Sequence, residues 1–108
     1  MGPMVSVKAR DEVHVQVTKS VDAGAELIMG GEIPNEIGAY YPITLLAAVK
    51  PGMAAFDEEI FGPIFAVTKA RNVEDALSLA NQTEFGLGAA VFTNDLKKGE
   101  EIAKYKLY

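Results

Sequence analysis

Ile64-Phe65-Ala66-Val67-Thr68-Lys69, then Asn72-Val73-Glu74-Asp75-Ala76-Leu77-Ser78-Leu79-Ala80, then Ala89-Ala90-Val91-Phe92-Thr93 is the run that sets the fold class. Over 64–69 the side chains alternate, Phe65 and Val67 facing one way and Ile64 and Ala66 the other, which is the two-residue repeat of a strand. Asn72 stands where a helix N-cap belongs, with Asp75 three residues on, because a short side-chain oxygen there can accept from an unpaired backbone N–H of the first turn. Val73, Ala76, Leu77 and Ala80 then fall on one helical face. Gly86 closes the following loop, 89–93 reads as a buried strand, and Asn94 or Asp95 is placed to cap a last helix carrying Leu96, Ile102 and Ala103. Strand, helix, strand predicts a βαβ unit near the C-terminus, with 64–69 and 89–93 parallel and joined by a right-handed crossover through the helix from Asn72. The expected fold class is α/β.

Upstream the signals are shorter. Val13, Val17 and Val21 recur every four residues over 10–23 and would form one narrow helical stripe. Val13, Val15 and Val17 also alternate, so a strand competes, but Asp11 and Glu12 near the start and Gly24 after the end favour helix. The run 25–29 predicts a buried strand closed by a turn at Gly30-Gly31. Pro34, Asn35 and Gly38 mark a polar turn, after which 40–49 reads as extended; Pro42 lacks a ladder N–H and argues for an edge or a bulge there. Pro51-Gly52 breaks the chain again, and 53–59 has room for a turn of helix before Gly62-Pro63 stops it. Val5-Ser6-Val7-Lys8 reads as an apolar stub with no preceding element to pair with.

A chain of 108 residues can bury one core but cannot hold two domains with a cleft between them, so a single domain is expected. Hydrophobic residues at 49% and scattered Gly and Pro exclude a disordered or collagen-like chain. The net charge of −5, with Lys and Arg interleaved among acids, argues against a nucleic-acid partner. No apolar run approaches the roughly 20 residues that span a bilayer, and Met1-Gly2-Pro3-Met4 lacks the regions of a signal peptide. A cytoplasmic location without a membrane role is expected.

The absence of cysteine removes disulfides, thiolate metal sites and cysteine nucleophiles from these residues. Asp57, Glu58 and Glu59 are adjacent carboxylates whose side chains converge poorly, and His14 is the lone histidine, so no metal is expected and a solvated acidic turn is the simpler account. His14, off the valine stripe, is expected at the surface rather than as a general base. Ser6, Ser20 and Ser78 lie in no nucleophile elbow, and Gly86-Leu87-Gly88 lacks the third glycine and the helix of a dinucleotide fingerprint. On these grounds alone the chain is an α/β domain with no visible active site.

Glu58-Glu59-Ile60-Phe61-Gly62-Pro63, however, resembles the E-x-F-G-P signature of the aldehyde dehydrogenase superfamily. Tyr40-Tyr41-Pro42-Ile43-Thr44-Leu45-Leu46, Pro51-Gly52-Met53 and Ala80-Asn81-Gln82-Thr83-Glu84-Phe85-Gly86-Leu87 resemble segments that flank this signature, in matching order and spacing. Gly2-Pro3 and Gly30-Gly31 also resemble family positions, so the likeness spans nearly the whole chain and points to the succinate-semialdehyde dehydrogenase-like branch. It implies that 1–108 is a single partial domain, part of an aldehyde dehydrogenase catalytic domain lying downstream of the catalytic cysteine and truncated at both ends.

The resemblance also implies roles. The glutamate matching Glu59 hydrogen-bonds the nicotinamide ribose hydroxyls, and the phenylalanine matching Phe61 packs beside the same end of the cofactor. A carboxylate can accept from two vicinal hydroxyls, an aromatic wall restrains a mobile ring, and Gly62-Pro63 would aim both side chains. The bland alternative makes Glu59 a solvated turn acid and Phe61 a core residue. The family reaction requires a cysteine to form a thiohemiacetal and then a thioester, so no residue here is carried over as catalytic.

The resemblance therefore predicts a fragment of an NAD(P)-dependent aldehyde dehydrogenase that is inactive alone. NAD or NADP serves the family, but one or two contacts do not offset ordering costs, so this chain alone is expected to hold neither beyond very weak binding. Strand edges and apolar faces stripped of neighbours should drive self-association. Two other readings stay open: a standalone oligomerisation or binding module derived from that scaffold, and an unrelated small α/β domain. The latter gains if the helix from Asn72 does not join parallel strands 64–69 and 89–93.

Overall fold

The structure, a computed structural model, describes residues 2–105. They form two compact units, the first ending at Lys69 and the second beginning at Ala70.

The first unit opens with α1 (Val7–Asp22) and continues through β1 (Glu26–Met29), β2 (Thr44–Ala47), α2 (Ala54–Asp57) and β3 (Ile64–Ala66). The ambiguity over 10–23 resolves to helix because of the burial it permits. Val13 and Val17 are buried while Val15 is half exposed, which an i, i+4 repeat allows and a strand, placing all three on one face, would not. The helix also starts earlier than expected. Ser6 is its N-cap, accepting from the Ala9 N–H at 3.0 Å, so the supposed stub at 5–8 contains the cap and the first helical residues. Gly24, at φ +115°, turns the chain out of the helix towards β1.

The sheet is mixed, in the order β1-β2-β3. β1 runs antiparallel to β2 with Leu27 opposite Leu46, and β2 runs parallel to β3 with Leu46 opposite Ala66. Two expectations need correction. The strand after Ala25 forms, but all four of its residues are exposed, because β1 is the end of the sheet and the core gathers under β2. The segment 40–49 was expected at an edge or a bulge, yet β2 is the central strand and the register shift in its pairing with β1 falls on β1, between Leu27 and Met29; Pro42 lies before the ladder, where its missing N–H is harmless, and its carbonyl accepts from Thr44 Oγ1 at 3.0 Å. Val13, Val17, Ala25, Tyr41, Leu46, Val49 and Met53 form the buried core, with Ile60 and Ile64 packed against it.

The second unit holds α3 (Val73–Ala80) and α4 (Leu96–Tyr105). Asn72 caps α3 as expected, its side chain accepting from the Asp75 N–H at 2.8 Å. Asp75 in turn accepts from the Arg71 backbone N–H at 3.0 Å, and that bond, helped by the Arg71 guanidinium, holds its carboxyl below the usual carboxylate range. Asp95 rather than Asn94 caps α4, accepting from the Lys98 N–H at 3.1 Å.

The expected strand at 89–93 is not formed, and β3 stops at Ala66 rather than 69. The helix from Asn72 therefore does not join two parallel strands. Ala89 and Ala90 have little strand preference, and a strand without a neighbouring backbone has nothing to pair with. The parallel pair that does form is β2 with β3, separated in the chain by α2, so the βαβ unit lies upstream of its expected place. The α/β class holds. Within the second unit Gly99 is the sole buried residue among those described.

Candidate functional site

The turn 58–63 follows α2 directly, so what seats α2 seats the turn. Met53, the N-cap of α2, offers no side-chain cap, leaving the first-turn N–H groups to find other acceptors. α1 supplies one. Ser20, fully buried, donates its hydroxyl to the Gln16 carbonyl at 2.9 Å and accepts from the Ala55 N–H at 2.8 Å. Ser20→Ala removes that acceptor and is expected to destabilise the fold by about 1–3 kcal/mol through the stranded Ala55 N–H. A fall in the urea midpoint at unchanged m-value checks this.

One turn earlier on α1, the Gln16 side-chain amide donates to Glu58 Oε1 at 3.1 Å and to the Glu59 carbonyl at 3.2 Å. Ile60 packs against the core. Gly62 lies so close to α1 that a Cβ there would come within 3.0 and 3.1 Å of the Val13 methyls, tighter than ordinary packing. The Pro63 carbonyl accepts from the Thr44 N–H at 2.9 Å. The turn is thus anchored at Glu58, at Ile60 and at its exit into β3.

Between these anchors Glu59 and Phe61 face solvent. Phe61 is 78% exposed, so the alternative account of it as a core residue fails: Ile60 takes the inward position and its two neighbours are left outside. The Glu59 carboxylate has no hydrogen-bond or ion-pair partner among the described residues. An ordered turn thereby presents a free two-oxygen acceptor and an aromatic face two residues apart. That set fits a vicinal diol next to a planar ring.

His14 does not sit as expected. It is partly buried, with Nδ1 2.9 Å from the Tyr41 hydroxyl and the rings edge to face at 5.7 Å. Burial pushes the Tyr41 phenol up from its ordinary value, so this hydroxyl stays protonated around neutral pH and gives no pH response there. Of the three adjacent acids, Glu58 is engaged by Gln16, and among the described residues no group of three His, Asp or Glu side chains could hold a metal ion. Gln16 and Ser20 escaped the sequence reading because they belong to no motif. Their one signal is position, since 13, 16, 17 and 20 share a helical face.

Residues 1–105 match the sequence profile of the aldehyde dehydrogenase family. This chain belongs to that family. It is 50% identical over 103 residues to the succinate semialdehyde dehydrogenase [NAD(P)+] of Escherichia coli K12, covering 95% of this chain and 22% of that protein. It is 38% identical over 104 residues to the NADP(+) succinate-semialdehyde dehydrogenase of Deinococcus radiodurans, again covering 22% of the relative. The crystal structure of an NAD-dependent aldehyde dehydrogenase from Sinorhizobium meliloti superposes with a TM-score of 0.91 at 38% identity, over 99% of this chain and 21% of that one. The chain spans about a fifth of the length of the curated relatives it matches. Membership in the aldehyde dehydrogenase family does not depend on the missing strand at 89–93, because the likeness runs along almost the whole chain.

Proposed function

We propose that this aldehyde dehydrogenase chain carries the nicotinamide-ribose contact of an NAD(P)-dependent enzyme, Glu59 accepting from the ribose hydroxyls and Phe61 flanking the adjoining ring, and that alone it does not oxidise aldehydes. The observation that carries this reading is the anchored turn 58–63, which leaves those two side chains free and facing outward. The bound nicotinamide would supply the hydride acceptor; these residues would limit where it can sit. Similar structures include one in complex with NAD+, from Mycobacterium tuberculosis, and one with NADP+, from Streptococcus pyogenes. A contact at the nicotinamide end suits both, since the two cofactors differ only at the other ribose. The inactivity rests on chemistry: the family resemblance calls for a cysteine nucleophile and these 108 residues contain none.

The test has two arms. Purified chain incubated with NAD+ or NADP+ and succinate semialdehyde should form no reduced cofactor; turnover with contaminants excluded would refute the inactivity. In a nuclear magnetic resonance titration, NAD+ should bind with a Kd on the order of millimolar or weaker, shifting amides of 58–62. Glu59→Gln should abolish those shifts, and shifts confined to other surfaces would remove Glu59 and Phe61 from the site. In the cytoplasm, where we place it, the chain is also proposed to self-associate through the edge strand β1, whose Leu27, Ile28 and Met29 are exposed. A molar mass that rises with concentration checks this, and Ile28→Lys should suppress the rise.

A further inference from the structure

The two acids of the turn, Glu58 and Glu59, are adjacent and chemically alike, yet only one of them is free. Glu58 leaves α2 with an extended backbone, φ −106° and ψ 157°, so its side chain and that of Glu59 depart on opposite sides of the chain. Glu58 reaches back to α1. There the Gln16 amide nitrogen, which has two hydrogens to give, donates to Glu58 Oε1 at 3.1 Å and to the Glu59 carbonyl at 3.2 Å. Gln16 is itself held in place: Val13 and Val17 beside it on the helix are buried, and its backbone carbonyl accepts from the buried Ser20 hydroxyl at 2.9 Å. The Glu59 carboxylate, by contrast, has no hydrogen-bond or ion-pair partner among the described residues.

We infer that Gln16 is a positioning residue of the nicotinamide-ribose contact: it withdraws the Glu58 carboxylate and fixes the Glu59 backbone, so that Glu59 alone is presented to a vicinal diol. The residue type matters. A carboxylate or an aliphatic side chain at 16 has no hydrogen to give. A lysine or arginine would also hold Glu58, but it would set a cation beside Glu59 and draw that carboxylate into an ion pair. A neutral amide engages one acid without offering the other a counter-charge. With Gln16 removed, Glu58 is released, two carboxylates stand within reach of one diol, and their mutual repulsion displaces Glu59 from its fixed position. The inference rests on the proposed role of Glu59 and goes beyond it by naming what selects between the two glutamates.

The experiment titrates NAD+ into the full chain labelled with 13C-glutamate and follows the side-chain carboxyl signals of Glu58 and Glu59 by nuclear magnetic resonance. In the wild-type chain Glu59 should respond and Glu58 should stay silent. In Gln16→Ala the initial slope of the Glu59 shift against NAD+ concentration should fall about fivefold or more, while a Glu58 response appears. A general loosening of the fold would weaken the Glu59 response without recruiting Glu58, so the second signal separates positioning from stability. Without cofactor, 15N relaxation of the Glu59 and Phe61 amides should show more motion in Gln16→Ala, whereas the Ala55 amide, held by Ser20, should not change. Thr18→Ala, at an exposed position of the same helix, should leave both carboxyl signals as in the wild type. A Gln16→Ala chain whose Glu59 responds at full slope, or whose Glu58 stays silent, would overturn the inference and leave the ribose contact standing. A wild-type Glu59 that NAD+ does not move would overturn the ribose contact and this inference with it, so the two failures are told apart by which chain shows them.

Discussion

Leu46→Ala is expected to destabilise the chain by about 2–5 kcal/mol, enough to unfold much of the population at room temperature in a domain of ordinary marginal stability. Leu46 is 0% exposed and lies at the middle of the central strand, opposite Leu27 on one side and Ala66 on the other. Truncation loses the transfer free energy of the removed methyl groups. It also leaves a cavity that the sheet cannot close, because backbone hydrogen bonds on both sides hold β2 in place. Leu45, one residue away on the opposite face and only half buried, should lose well under half as much when cut to alanine. Urea denaturation of both variants checks the pair; equal losses would mean that β2 does not bury the face described.

Gly30→Ala is expected to destabilise by roughly 2–5 kcal/mol, the sum of a left-handed backbone penalty and a steric overlap. Gly30 has φ +76°, and a Cβ there would run into the Ile43 carbonyl oxygen and into Thr44 at both Cα and Oγ1. Thr44 cannot retreat cheaply. Its buried hydroxyl accepts from the Gly31 N–H at 2.9 Å and donates to the Pro42 carbonyl at 3.0 Å, so any shift breaks the bonds that close the loop between β1 and β2. Gly52→Ala separates the two contributions, since Gly52 has φ +96° but open space where its Cβ would go. Its loss should be about 1–2 kcal/mol. Thermal or urea midpoints showing equal losses for the two glycines would remove the overlap from the account.

The elements read most accurately were those whose signal is local. Asn72 with Asp75 marks a cap by itself, and the cap is there. Pro51-Gly52 and Gly62-Pro63 bracket α2 because proline and glycine restrict or free the backbone whatever surrounds them. The misread elements depended on neighbours. The run 25–29 and the segment 89–93 have similar apolar content, yet one is an exposed edge strand and the other no strand; pairing partners decide this, and they lie elsewhere in the chain. His14 looked like a surface residue because nothing in its own helix announces that Tyr41, 27 positions away, will reach its ring.

The order of residues was sufficient for the α/β class, for the helix caps and breaks, and for the aldehyde dehydrogenase signature at Glu59-Ile60-Phe61-Gly62-Pro63. These depend on backbone preferences and on a short motif, both of which act over a few residues. Only the folded chain decided that β2 is central, that Ser20 and Gln16 of α1 seat α2 and the turn behind it, and that Phe61 faces outward while Ile60 faces the core. Each of those outcomes is a competition for buried space and hydrogen-bond partners among segments far apart in sequence, and periodicity within one segment carries no record of it.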